Sequence, residues 1–90
     1  MDIEIYGKQG CDLCTMAKEK FSSFIDRSEY KDSISLRFID MSTSDGMTEG
    51  ILGGISKIPT IIFKENSKVI AKWEEKVPAI STTPLYQYRG

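Results

Sequence analysis

The stretch IYGKQGCDLCTMAKEKF, residues 5–21, holds both cysteines of the chain, Cys11 and Cys14, at C-x-x-C spacing. Before it, Asp2 to Tyr6 alternates polar and apolar residues as a strand does, and Gly7 to Gly10 breaks the pattern. After it, Leu13, Met16, Ala17, Phe21, Phe24 and Ile25 recur at helical steps, with Lys18, Glu19, Lys20 and Ser22 on the opposite side. The pair therefore falls on a strand-to-helix turn, with the helix beginning at or beside Cys11. Asp12 stands in the opening turn, where a negative side chain suits the helix dipole.

Three readings compete for this spacing. The plainest is two half-buried thiols that share a helical turn. A closed structural zinc site wants four ligands, and the chain offers two thiols and no histidine. Only a cluster bridging two subunits could use the pair as ligands. The redox reading has a mechanism: a thiol at a helix N-terminus faces unpaired N–H groups and the positive end of the dipole, which favour the thiolate. Cys11 would then be the exposed nucleophile and Cys14, one turn inside, the resolving thiol. Spacing and context favour this last reading.

The other segments place the pair in a fold. SLRFIDM, residues 35–41, reads as a second strand. STSDGMTEGILGG, residues 42–54, offers Ser and Thr caps, an apolar set at Met47, Ile51 and Leu52, and a Gly53-Gly54 stop, which predicts a short helix. TIIFKE and KVIAKW, separated by Asn66 and Ser67, predict a β-hairpin. The order β-α-β-α-β-β argues for a parallel βαβ unit with antiparallel strands added by the hairpin. Beyond Trp73, Pro78 and Pro84 forbid one long helix, leaving room for a short turn after Thr83.

Ninety residues make one small domain, residues 1–90, with a single core. A net charge of −1 gives no electrostatic case for a nucleic-acid partner. No apolar run approaches the roughly 20 residues of a membrane helix, and MDIEIYG has no basic region of a secretory signal. Two cysteines make no disulfide framework. These features lead us to expect a monomeric, intracellular, cytoplasmic domain with no membrane partner and no bound metal.

Residues 2–73 resemble the thioredoxin superfamily, and within it the glutaredoxin-like dithiol proteins. IYGKQGCDLC resembles that family's first strand, loop and active-site motif, including a lysine three before the first cysteine, here Lys8. IPTIIF, residues 58–63, resembles its cis-proline element. The resemblance implies a thioredoxin-like α/β fold with a four-stranded mixed sheet between layers of helix. It implies thiol–disulfide exchange through Cys11 and Cys14, reducing protein or small-molecule disulfides, with the cysteine pair as the redox-active disulfide and no bound cofactor. Pro59 would be cis and lie against the cysteines, and the backbone of Ile58 would pair with an extended substrate. Lys8 would hold an anionic group or stabilise the Cys11 thiolate, and Tyr6 would flank the site. Electrons would come from thioredoxin reductase or from glutathione.

Three departures sharpen the expectation. The Gly-Gly-x-Asp-Asp-like turn that holds glutathione in glutaredoxins is replaced by WEEKVPAI, residues 73–80. The spacing of Trp73 and Pro78 is instead similar to that of glutaredoxin-like electron donors of ribonucleotide reductase, which are reduced by thioredoxin reductase. The motif centre is Asp12-Leu13, and a carboxylate next to Cys11 opposes its thiolate and moves the couple toward a more reducing potential. The family's closing helix is missing or cut to a stub, leaving Pro78, Ile80, Leu85, Tyr86 and Tyr88 to cover the sheet. Two other functions fit the same residues: a non-catalytic adaptor binding partners at the Pro59 loop, and a dimeric iron–sulfur carrier.

Overall fold

The computed structural model describes residues 1–88. Strands β1 (Asp2–Gly7), β2 (Ser35–Asp40), β3 (Thr60–Glu65) and β4 (Lys68–Glu74) form one sheet in the order β2-β1-β3-β4. β1 and β2 are parallel, joined through helix α1 (Asp12–Arg27); β3 runs antiparallel to β1 and β4 to β3. Helix α2 (Ser44–Leu52) connects β2 to β3. Among the described residues, no helix is long and apolar enough to cross a membrane.

Alternation along the central strand separates two cores. Ile3 and Ile5 of β1 and Ile61 and Phe63 of β3 pack with Ala17, Phe21 and Ile25 of α1. On the opposite face Tyr6, Ile39, Ile62 and Ile55 form a second cluster, beside α2. The intervening Glu4, which the alternating pattern assigns to water, is buried there because β1 has neighbours on both sides and both faces covered. Its charge is compensated: Tyr6 Oη donates to it at 3.2 Å, and Lys64 and Arg37 lie 3.2 Å and 3.5 Å away. A buried carboxylate without such partners would be strongly destabilising.

Helix α2 forms where expected, with Thr43 Oγ1 accepting from the Gly46 amide at 3.0 Å and Gly54 beyond its end at φ 71°. Its orientation reverses the simple expectation. The apolar set Met47, Ile51 and Leu52 is exposed, while Gly46 and Gly50 face the sheet. A β-carbon on Gly46 would sit 1.8 Å from the Asp40 carbonyl oxygen, so backbone approach, not side-chain burial, seats this helix. The hairpin turn carries Asn66 at φ 52° and Ser67 at φ 69°, the paired left-handed residues that a two-residue turn between twisted strands requires.

The closing helix is absent. In its place two 3-10 turns, Ile80–Thr82 and Pro84–Tyr88, lie over the α1 core. Leu85 is fully buried, Pro78 is buried, and Ile80 and Tyr88 are partly buried against the same cluster. Tyr86, expected to join them, is instead 44% exposed. Trp73 packs edge-on to Phe63 with ring centroids 5.6 Å apart, which gives it a structural place at the strand end.

Candidate active site

Cys11 is the N-cap of α1, with extended backbone (φ −95°, ψ 112°), and its Sγ accepts a hydrogen bond from the Cys14 amide at 3.2 Å. The sulfur thus occupies the position usually taken by a Ser, Thr or Asp oxygen, in front of unpaired helix N–H groups. Cys11 is partly exposed and Cys14 fully buried, and the two are disulfide-bonded with their α-carbons 5.2 Å apart. Asp12 follows as the first helical residue and is exposed.

Gly7, the last residue of β1, lets this helix start against the sheet. A β-carbon there would meet Cys14 Sγ at 2.7 Å and Cys14 Cβ at 2.8 Å. The preceding residue, Tyr6, pairs with Thr60, the first residue of β3. Topology therefore brings the cysteine turn and the segment entering β3 to one end of the sheet. The Ile58–Pro59 peptide is cis and Pro59 is buried, its carbonyl accepting from the Glu75 amide at 2.8 Å. Thr60 Oγ1 closes the same turn on the Lys57 carbonyl at 2.6 Å.

The remaining expected site residues divide. Ile58 is half-buried beside the cis peptide. Lys8 is exposed and lines a groove of about 470 Å³ with Gln9, Lys18, Phe38 and Asp40. In that groove Lys18 Nζ lies 5.2 Å from the centre of the Phe38 ring, and hydrogen bonds from Ser42 hold the Asp40 carboxyl below the usual range. Tyr6 differs from expectation. It is buried on the sheet face opposite α1, so its ring packs against Ile39 and Ile62 and does not flank the cysteines. Burial, then the nearby Glu4 carboxylate, pushes its phenol up to about 12. Sequence reasoning also missed Gly7, whose signal is its position at the end of a strand immediately before the cysteine loop.

Among the described residues, no group of three or more His, Cys, Asp or Glu side chains is arranged to hold a metal ion. No family model matches the chain, and no curated protein matches it in sequence. Solved structures do match. Thioredoxin 1 from Thermosipho africanus superposes with a TM-score of 0.72 at 18% identity, over 91% of this chain and 84% of that one. Thioredoxin-2 of the malaria parasite gives 0.77 at 18% identity, over 98% of this chain and 82% of that one. Oxidized thioredoxin O2 from Arabidopsis thaliana gives 0.78 at 13% identity, over 98% and 75% respectively. The chain therefore has the thioredoxin fold, with an internal C-x-x-C disulfide at the start of its first helix. Within that fold it is a short form, closed by 3-10 turns where a last helix would lie.

Proposed function

We propose that this protein is a thiol–disulfide oxidoreductase of the glutaredoxin-like dithiol kind, passing two electrons from a cellular reductant to a disulfide substrate. The observation that carries the reading is the disulfide between a partly exposed helix-capping Cys11 and a fully buried Cys14. In the reduced protein, the helix N–H groups in front of Cys11 favour its thiolate. That thiolate attacks one sulfur of the substrate disulfide, forming a mixed disulfide while the other substrate sulfur leaves as thiolate and takes a proton. Cys14, losing its proton to the leaving thiol or to water, then attacks the Cys11 sulfur. The products are the Cys11–Cys14 disulfide and a substrate dithiol.

The glutaredoxin-like kind is supported by Lys8 three residues before Cys11 and by Ile58-Pro59-Thr60 entering β3. Lys8 is proposed to hold an anionic group near the thiolate, and the Ile58 backbone to pair with the substrate chain. Cytoplasmic electron donation by a monomer fits a reducing compartment and the net charge of −1. Thioredoxin reductase is the proposed reductant, because residues 73–80 lack the glutathione-holding turn. Its test is coupled NADPH oxidation with a disulfide substrate, run in parallel with thioredoxin reductase and with glutathione plus glutathione reductase. Turnover only in the reductase arm is expected. Turnover only in the glutathione arm would overturn the reductant, and turnover in neither arm, with dithiothreitol also failing to drive reduction, would overturn the oxidoreductase reading.

A further inference from the structure

Helix α1 carries a second apolar feature beside its buried stripe of Cys14, Ala17, Phe21 and Ile25. Leu13, Met16, Lys20 and Phe24, at steps of three and four, run along one flank of that stripe. The half of this flank far from the cysteines is covered. Lys20 Nζ donates to the Pro78 carbonyl at 3.0 Å, and Phe24 packs against the core that the C-terminal turns close. The half at the cysteine end is open: Leu13 is 41% and Met16 53% exposed. Helical side chains lean toward the N-terminus of their helix, so both reach back over the turn that presents Cys11.

We propose that Leu13 and Met16 determine specificity, receiving an apolar side chain next to the reacting cysteine of a polypeptide disulfide in preference to a small hydrophilic disulfide. The inference rests on the oxidoreductase reading above. The occupant follows from continuity with the cysteine pair. A group joined through sulfur to Cys11 stands on the first turn of α1, and its neighbouring residue meets the step formed by Leu13 and Met16. Burying that contact removes from water two side chains that the fold itself leaves wet. The chemistry is the exchange already described; only the non-reacting part of the substrate is selected.

The test uses three oxidised substrates: two peptide disulfides identical except for Leu or Ser beside the cysteine, and cystine. With dithiothreitol as reductant, the wild-type chain should favour the Leu peptide in kcat/KM by about tenfold, as partial burial of one aliphatic side chain allows. The double variant Leu13→Ser with Met16→Ser should bring the preference below about twofold while leaving cystine reduction unchanged. Equal wild-type rates on the two peptides would overturn the proposal, as would equal slowing of all three substrates by the variant. Failure of the wild type on every substrate would overturn the oxidoreductase reading instead. A wild-type dimer in sedimentation, dissociated by the double variant, would make this face a self-association surface and also refute the proposal.

Discussion

Gly7 and Cys14 are in such close contact that a β-carbon on Gly7 would lie 2.7 Å from the Cys14 sulfur, nearer than the 3.0 Å that real β-carbons essentially never breach. The end of β1 thereby sets where the buried thiol stands. Gly7→Ala is expected to push the start of α1 away from the sheet, at about 1–3 kcal/mol of stability, the usual cost of overpacking. Because Cys14 is the group displaced, the resolving step should slow more than the first attack. Denaturant unfolding and the lifetime of the mixed disulfide test both parts. A variant with wild-type stability and an unchanged lifetime would show that the contact is relieved without consequence.

The difference in exposure between the two cysteines predicts their order of reaction. In the reduced protein near neutral pH, Cys11 should take iodoacetamide first, and Cys14→Ser should accumulate a mixed disulfide on Cys11. Peptide mass mapping after a short labelling pulse reads the site directly. Modification of Cys14 ahead of Cys11 would reverse the assigned roles.

The C-terminal turns do the work of the absent helix through few side chains, of which Leu85 is fully buried in the α1 core. Leu85→Ala should cost about 2–5 kcal/mol, the range for leucine truncation in a packed core. In a 90-residue domain that is a large share of a typical stability of roughly 5–15 kcal/mol. Urea unfolding checks it, with Tyr86→Ala as the contrast, since Tyr86 is 44% exposed and its truncation should cost far less. Equal losses in the two variants would show that the turns are not held by Leu85.

Tyr6 predicts a pH dependence. Its phenol is pushed up to about 12 by burial and by the Glu4 carboxylate that accepts its proton. A group whose folded pKa is raised binds its proton more firmly when folded. Its contribution to stability is therefore complete below about 10 and fades as pH climbs from 10 toward 12. Of the chain's four tyrosines, Tyr6 should ionise last in an ultraviolet titration, and Tyr6→Phe should delete that late phase. A late phase that persists in Tyr6→Phe would assign it to another tyrosine.

Element order and the cysteine turn were readable from sequence because they depend on local pattern: alternation, helical spacing, caps and turn residues. What the sequence hid depends on tertiary neighbours. Leu13 and Met16 follow a helical repeat and read as core, yet the sheet meets α1 on the side of Cys14 and Ala17, so they point outward. Met47, Ile51 and Leu52 likewise look like the inner side of α2, but the backbone approach at Gly46 reserves that side for glycine. Glu4 and Tyr6 share one face of a strand whose central position no periodicity records, and this turned an expected site-flanking ring into a packing residue. The cis-proline was legible only through resemblance, since nothing in Ile-Pro-Thr alone specifies the isomer.

Asp12 gives the motif its unusual charge, and the geometry makes its effect separable. The capping bond at the start of α1 is made by Cys11 Sγ to the Cys14 amide, so Asp12→Asn leaves that bond in place. What changes is the charge beside the nucleophile. A unit charge at roughly 6 Å, with an effective dielectric near 40, shifts a thiol by about one pKa unit, and solvent at an exposed position makes this an upper bound. Removing it should lower the Cys11 pKa and stabilise the reduced thiolate. The couple should become more oxidising, by at most about 30 mV for a two-electron exchange. The asparagine side chain also surrenders a favourable charge at the helix N-terminus, so helix stability should fall slightly while the thiolate gains. Thiolate absorbance titration and equilibration against a glutathione buffer, on both proteins, measure the two quantities independently. A Cys11 pKa that is unchanged or raised in Asp12→Asn would show that Asp12 serves the helix start and does not tune the thiol.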